Sequence, residues 1–257
     1  MISLSSNEWT INNIETVLID KDGTFIDLHF FWGKMTELRA KEIINQYKLD
    51  ISIKETLCNF LGYDLKTKKM KPDGITALYS RSKIIKIFNK NLKEIGINSN
   101  ENELEKIFDK VSESFYKDIE KYTKPINSAI NFIKELKKHN VKIGIVTSDS
   151  VISTNLTIKQ FGWDGIFDCV IGRESSEHTK ESGMPTKLAL KQLQAIPDTT
   201  IMIGDAPMDT ISANNAGIKN SILIATGQVS NEELKKYTEY TLNNLDELNI
   251  IKDSRQS

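Results

Sequence analysis

The sequence predicts an α/β protein in which a parallel sheet is covered by helices on both faces and interrupted by an all-helical insertion. Three observations carry this. Short apolar runs recur in the outer thirds of the 257-residue chain. Amphipathic stretches separate the later runs. Residues 27–124 show helical periodicity and no convincing strand.

The apolar runs are Thr16–Ile19, Lys142–Val146, Phe167–Ile171, Thr200–Ile203 and Ser221–Ile224, and they read as buried parallel strands. Amphipathic segments at Ile126–Lys138, Leu188–Gln194 and Thr210–Asn215 supply helices between them. Such strand–helix repetition predicts a sheet with helices on both faces. In the insertion, Phe31, Met35, Leu38 and Ile43 suggest one helix. Ile84, Ile87, Phe88, Leu92 and Ile95 suggest a second, and Leu104, Ile107, Phe108, Val111 and Phe115 a third. Pro72-Asp73-Gly74 and Asn98-Ser99-Asn100 punctuate them, and Pro125 marks the return to the sheet. The expected domains are therefore 1–26 with 125–257, and 27–124.

Hydrophobic residues make up 39% of the chain and charged residues 27%, with a formal net charge of −1. That balance provides no field to recruit nucleic acid or an anionic membrane. Cys58 and Cys169 are far apart and lack metal-ligand spacing, so neither a disulfide framework nor a zinc site is expected. Cys169, in an apolar run, reads as a small core residue. The N-terminus lacks the basic flank and apolar run of a signal peptide, and no run approaches ~20 apolar residues. The expectation is a cytoplasmic monomer or homodimer.

The first strand ends in Asp20-Lys21-Asp22-Gly23-Thr24, two carboxylates at the carboxyl end of a strand, where open α/β sheets bind ligands. A calcium loop would need a Glu at its twelfth position and helical flanks; position 31 is Phe31, and the flank is a strand. A later strand delivers Gly204-Asp205, with Asp209 four residues on at a helix start. Capping alone would explain one such carboxylate. It does not explain two strands that both end in paired acids, whose mutual repulsion calls for a hard cation such as Mg²⁺. A third strand ends in Thr147-Ser148-Asp149-Ser150, hydroxyls that suit an anion at a helix start and equally suit a helix cap.

In this order and spacing the chain resembles the haloacid dehalogenase (HAD) superfamily. Asp20 to Thr24 match its first motif, Thr147 its second, and Gly204, Asp205 and Asp209 its fourth. The resemblance implies a Rossmann-like core with an inserted helical cap, as in the phosphoglycolate phosphatase-like group. It implies Asp20 as nucleophile and Asp22 as general acid/base. It further implies Mg²⁺ held by Asp20, Asp205, the Asp22 backbone carbonyl and Asp209, and phosphate held by Thr147, Ser148 and a lysine. The third motif is displaced. Aligning Pro185 with the family's proline puts Met184 where the lysine stands. Lys187, on the expected first turn of the helix, is favoured, with Lys180 on the preceding loop as its rival. The function implied is hydrolysis of a small phosphorylated metabolite through an aspartyl-phosphate. A phosphomutase, or a non-catalytic module on the same scaffold, stays open.

Overall fold

The computed structural model describes residues 1–252. In chain order its strands are β1 (Ile2–Ser5), β2 (Thr10–Ile14), β3 (Thr16–Ile19), β4 (Tyr63–Asp64), β5 (Lys69–Met70), β6 (Lys142–Val146), β7 (Cys169–Ile171), β8 (Thr200–Gly204), β9 (Asn220–Ile224), β10 (Thr241–Leu242) and β11 (Asn249–Lys252). The helices are α1 (Leu28–Tyr47), α2 (Lys54–Phe60), α3 (Ile75–Leu78), α4 (Arg81–Glu94), α5 (Glu101–Lys117), α6 (Ile119–Tyr122), α7 (Asn127–Lys138), α8 (Val151–Gln160), α9 (Met184–Leu193), α10 (Pro207–Asn215) and α11 (Asn231–Leu234). Two compact units result: Met1–Asp27 together with the chain from Pro125 onward, and Leu28–Lys124.

The first unit is built on a six-stranded parallel sheet of order β10-β9-β8-β3-β6-β7. All five strands expected from the apolar runs lie in it. Val17, Leu18, Ile19, Ile143, Ile145, Met202 and Ile203 are fully buried or nearly so, as strands covered on both faces require. The chain adds β6 and β7 on one side of β3, then crosses to the other side for β8, β9 and β10. That reversal makes β3 the switch point of the sheet, and its carboxyl end is where such folds bind ligands. Ile19 pairs with both Ile145 and Ile203. In this register Asp20 stands level with Val146 and Gly204, and Thr147 and Asp205 follow one residue on.

The structure adds a three-stranded antiparallel sheet of order β11-β1-β2 that the sequence reading did not anticipate. Its apolar residues Ile2, Leu4, Ile11 and Ile14 are buried, but β2 carries Asn12 and Asn13, poor strand formers, and Asn13 adopts φ +62°. Cys169 is half-buried at the outer strand β7 rather than a core residue.

The second unit packs Ala40, Ile43, Leu57, Leu61, Ile84, Phe88, Leu92, Leu104 and Phe108 into one core. All five apolar residues expected on α5 are buried. On α4 the buried stripe runs through Ile84, Ile85, Phe88 and Leu92, while Ile95 is exposed. Phe31 is buried and packs edge-on against Phe115, with ring centroids 5.0 Å apart. A minimal hairpin of β4 and β5 corrects the expectation of an unbroken helical region. It is only two residues per strand, too short to leave a period-two signal.

Candidate active site

The turn after β3 is organised by one carbonyl. Lys21 O accepts from the backbone N–H groups of Thr24, Phe25 and Ile26 at 3.3, 3.1 and 3.0 Å, and Gly23 N donates to Ile26 O at 2.8 Å. Gly23 supplies the positive φ of +93° that this tight loop needs. Asp20 is anchored on the sheet, its N–H donating to Ile203 O at 2.9 Å. Thr24 Oγ1 lies 3.4 Å from Asp205 Oδ1, and Thr226 Oγ1 donates to Gly23 O. A side chain at Gly23 or Gly227 would meet the Asp205 carboxylate, so either residue could be replaced only by displacing that carboxylate.

Asp20, Asp205 and Asp209 come together here, all buried. The lysine that joins them is Lys180. Its ammonium lies 2.5 Å from Asp20 Oδ1 and 2.6 Å from Asp209 Oδ1, and its side chain is 5% exposed. This corrects the choice of Lys187, which is exposed. The buried face of α9 runs through Thr186, Ala189, Leu190 and Leu193, and Lys187 lies off that stripe. The sequence favours Lys187 because it stands on the first turn of the helix, with Lys180 on the preceding loop as its rival. Instead a 3₁₀ turn over Lys180–Ser182 precedes α9, ended by Gly183 at φ +76°. Asn215 Nδ2 ties this turn to α10 by donating to Glu181 O at 2.8 Å. The loop thus aims Lys180 inward from a position five residues before Pro185.

Thr147 is buried at the end of β6, where its Oγ1 accepts from Asp149 N at 3.1 Å. Ser148, in the same turn, is exposed. Asp22 is partly exposed, and one of its carboxylate oxygens pairs with the ammonium of Lys21, which is wholly buried. Lys21 also meets Asp149 Oδ2 at 3.1 Å, without a well-directed hydrogen bond to that oxygen. Sequence reasoning passed over Lys21 as the variable middle of a motif and over Asp149 as a helix cap. No local pattern separates either from those bland roles.

The Asp20 carboxyl stands raised to about 7: burial pushes it up most, Lys180 pulls it down, and Asp209 and Asp22 push it up. Asp205 is held well above the usual carboxylate range, first by burial and then by Asp20 and Asp209. Burial alone would lower Lys180, but Asp20 and Asp209 outweigh it and hold it above its usual value. The site therefore gathers more carboxyl groups than Lys180 can keep ionised.

That excess is the test of a metal fit. Among the described residues no three acidic, imidazole or thiol side chains form a ready-made cage. Asp209 directs one oxygen at Lys180 and accepts the Ala206 N–H with the other, at 3.1 Å, so it anchors the lysine and caps α10. Asp20 and Asp205 remain, mutually repelling and short of positive charge. Two carboxylates are what Mg²⁺ commonly takes from protein while it keeps several waters. The residues fit such an ion.

A parallel sheet with an acid–lysine cluster at its switch point defines a class of α/β proteins built to meet a phosphoryl group. The family model of haloacid dehalogenase-like hydrolases matches residues 65–223, more than half of the chain, and the chain belongs to that family. The match begins after Asp20, so the first motif rests on the geometry above. A pyrophosphatase PpaX of Bacillus mycoides (strain KBAB4) is 38% identical over 87 residues, 34% of this chain and 40% of that protein. The alignment thus spans well under half of that relative. A PpaX of Bacillus cereus (strain Q1) is 25% identical over 81% of this chain and 82% of its own length. Among solved structures, a "predicted phosphoglycolate phosphatase" from Haemophilus somnus 129pt superposes with a TM-score of 0.69. It is 13% identical, over 91% of this chain and 96% of that one. A beta-phosphoglucomutase from Clostridium difficile gives 0.58 at 17% identity, over 91% and 92%. Both likenesses concern the fold. No helix among the described residues is long and apolar enough to cross a membrane.

Proposed function

We propose that this protein is a Mg²⁺-dependent phosphohydrolase acting on a small phosphate monoester through an aspartyl-phosphate on Asp20. The observation that carries the reading is the buried Asp20–Lys180–Asp209 cluster beside Asp205 and Asp22 at the switch point of the sheet.

Asp20 Oδ attacks phosphorus while the bond to the leaving oxygen breaks, and the Asp22 carboxyl gives that oxygen its proton. Asp22, now a carboxylate, takes a proton from the water that attacks the phosphoryl group. Phosphate leaves and Asp20 returns to a carboxylate. Lys180 and the Thr147 hydroxyl bind the phosphoryl oxygens, where charge concentrates in the transition state. Asp209 keeps the lysine aimed and charged. Mg²⁺ on Asp20, Asp205 and the Asp22 carbonyl would supply the charge neutralisation that the carboxylates lack. In this reading Leu28–Lys124 is the helical cap, inserted in the chain between Asp20–Thr24 and Thr147.

A second reading, hydrolysis of pyrophosphate, is favoured by the activity named for the Bacillus relatives. One experiment addresses both: phosphate release from a panel of esters and from pyrophosphate, with Mg²⁺, with EDTA, and with Asp20→Asn. The amide is nearly isosteric and cannot attack phosphorus, so turnover should fall by several orders of magnitude in a folded protein. Asp20→Asn within about tenfold of the parent, or full activity in EDTA, would sink the reading. A phosphomutase would instead interconvert phosphate esters without net phosphate release.

A further inference from the structure

We infer that Lys21 and Asp149 form a buried positioning pair that holds the Asp22 carboxyl in the orientation required for proton transfer to the leaving group. The inference rests on the phosphohydrolase reading and extends it to two residues to which that reading gives no role.

The middle position of Asp-x-Asp carries a lysine here, and its side chain is wholly buried. Asp20, Lys21 and Asp22 lie in the turn just past β3, where Lys21 is fully buried and Asp22 is partly exposed. The long lysine stem nevertheless brings its ammonium back to one oxygen of Asp22. The same ammonium lies 3.1 Å from Asp149 Oδ2. Asp149 is itself pinned. Its Oδ1 accepts from Ser150 N at 2.7 Å, its carbonyl accepts from Arg173 N at 2.8 Å, and its own N–H reaches Thr147 Oγ1 at 3.1 Å. The turn therefore holds Asp149, the Asp149 carboxylate attracts the Lys21 ammonium as an ion pair, and Lys21 in turn holds Asp22. The chain of contacts ends on the residue proposed to move the proton and starts on the turn that holds the phosphate-binding Thr147.

Stability is a poor explanation for this arrangement. Burying an ammonium and a carboxylate costs several kcal/mol per ion, and well-packed apolar residues of the same volume commonly serve as well or better. Asp22 is also the partly exposed member, its side chain 11% accessible, so it is the end of the chain that would swing if released. A mis-aimed acid forfeits its contribution even when its chemistry is intact.

The test separates aim from fold through the leaving group. In forming the aspartyl-phosphate, an aryl phosphate expels a stable phenolate and needs little help from the proton of Asp22. An alkyl phosphate expels an alkoxide and needs that proton as the P–O bond breaks. The kcat/KM of both esters is measured with Mg²⁺ in the parent, Lys21→Met and Asp149→Asn, with circular dichroism as the check on folding. General acid catalysis is worth about 10²–10⁴-fold, so Lys21→Met should lower the alkyl ester at least about tenfold more than the aryl ester. Equal losses on both esters, or no loss, overturn the inference. If Lys21→Met does not fold, Asp149→Asn decides. It keeps an acceptor for Ser150 N and leaves Lys21 in place, and its losses should be skewed towards the alkyl ester; even losses overturn the inference. A parent protein that cleaves neither ester with Mg²⁺ refutes the phosphohydrolase reading itself, and so is distinguishable from failure of the positioning pair.

Discussion

Replacing Lys180 by methionine keeps the length of the stem and removes the one ammonium that bridges Asp20 and Asp209, at 2.5 and 2.6 Å. Both carboxylates are buried, so neither can recover its partner from bulk water. Breaking a buried ion pair from one side costs about 3–5 kcal/mol, because an uncompensated charge stays behind. The exposed Lys187→Ala should stay within about 0.5 kcal/mol. Urea unfolding in EDTA at pH 7 measures the difference. The pH dependence provides a second check. Asp20 already stands raised from 3.8 to about 7, mainly by burial and against the pull of Lys180, and loss of Lys180 removes that pull. A carboxyl raised in the folded state lends stability below its unfolded pKa and loses that stability as pH rises through the folded value. The penalty of Lys180→Met should therefore shrink towards pH 4, where Asp20 is protonated, and be largest near pH 8. On phosphate esters with Mg²⁺ the variant should lose about 100-fold in kcat, since the lone charge meets the transferring oxygens. An unchanged urea midpoint in Lys180→Met, or a Lys187→Ala that is equally impaired, would refute the assignment.

Three further expectations follow from the same contacts. The rise in Tm on moving from EDTA to Mg²⁺ should be larger at pH 8 than at pH 5, because the raised carboxyls of Asp20 and Asp205 hold protons that compete with the ion; equal rises would count against those two as its ligands. Gly227→Ala places a methyl group against the Asp205 carboxylate and should weaken Mg²⁺ activation at a stability cost of about 1–3 kcal/mol, read from a Mg²⁺ titration of activity and a denaturant curve. An unchanged titration midpoint would mean that Asp205 does not need its present position. In the helical unit, Phe88 is fully buried with its ring centroid 6.1 Å from that of Phe108. Phe88→Ala should cost about 3–5 kcal/mol in chemical denaturation, and a cost under about 1 kcal/mol would show that this core is not packed as described.

Read along the chain, the residues already define the parallel sheet, the acids at its carboxyl edge and the family they resemble. The reason is local: a buried strand is a short apolar run, and an acid placed directly after it is carried to the sheet edge by the strand itself. Asp20, Asp205 and Thr147 are legible for that cause. The antiparallel sheet of β1, β2 and β11 was not, since β11 lies more than two hundred residues from its partner β1 and no local pattern encodes that pairing. Lys180 and Lys187 differ little as sequence. Both are lysines near Pro185, and only the 3₁₀ turn before α9 and its tie to Asn215 decide which ammonium enters the site. Lys21 likewise reads as filler between two motif acids until the fold brings Asp149 to it across 128 residues of chain. A long flexible side chain can point to water or inward at similar local cost. The choice belongs to whatever charge the tertiary structure places within its reach.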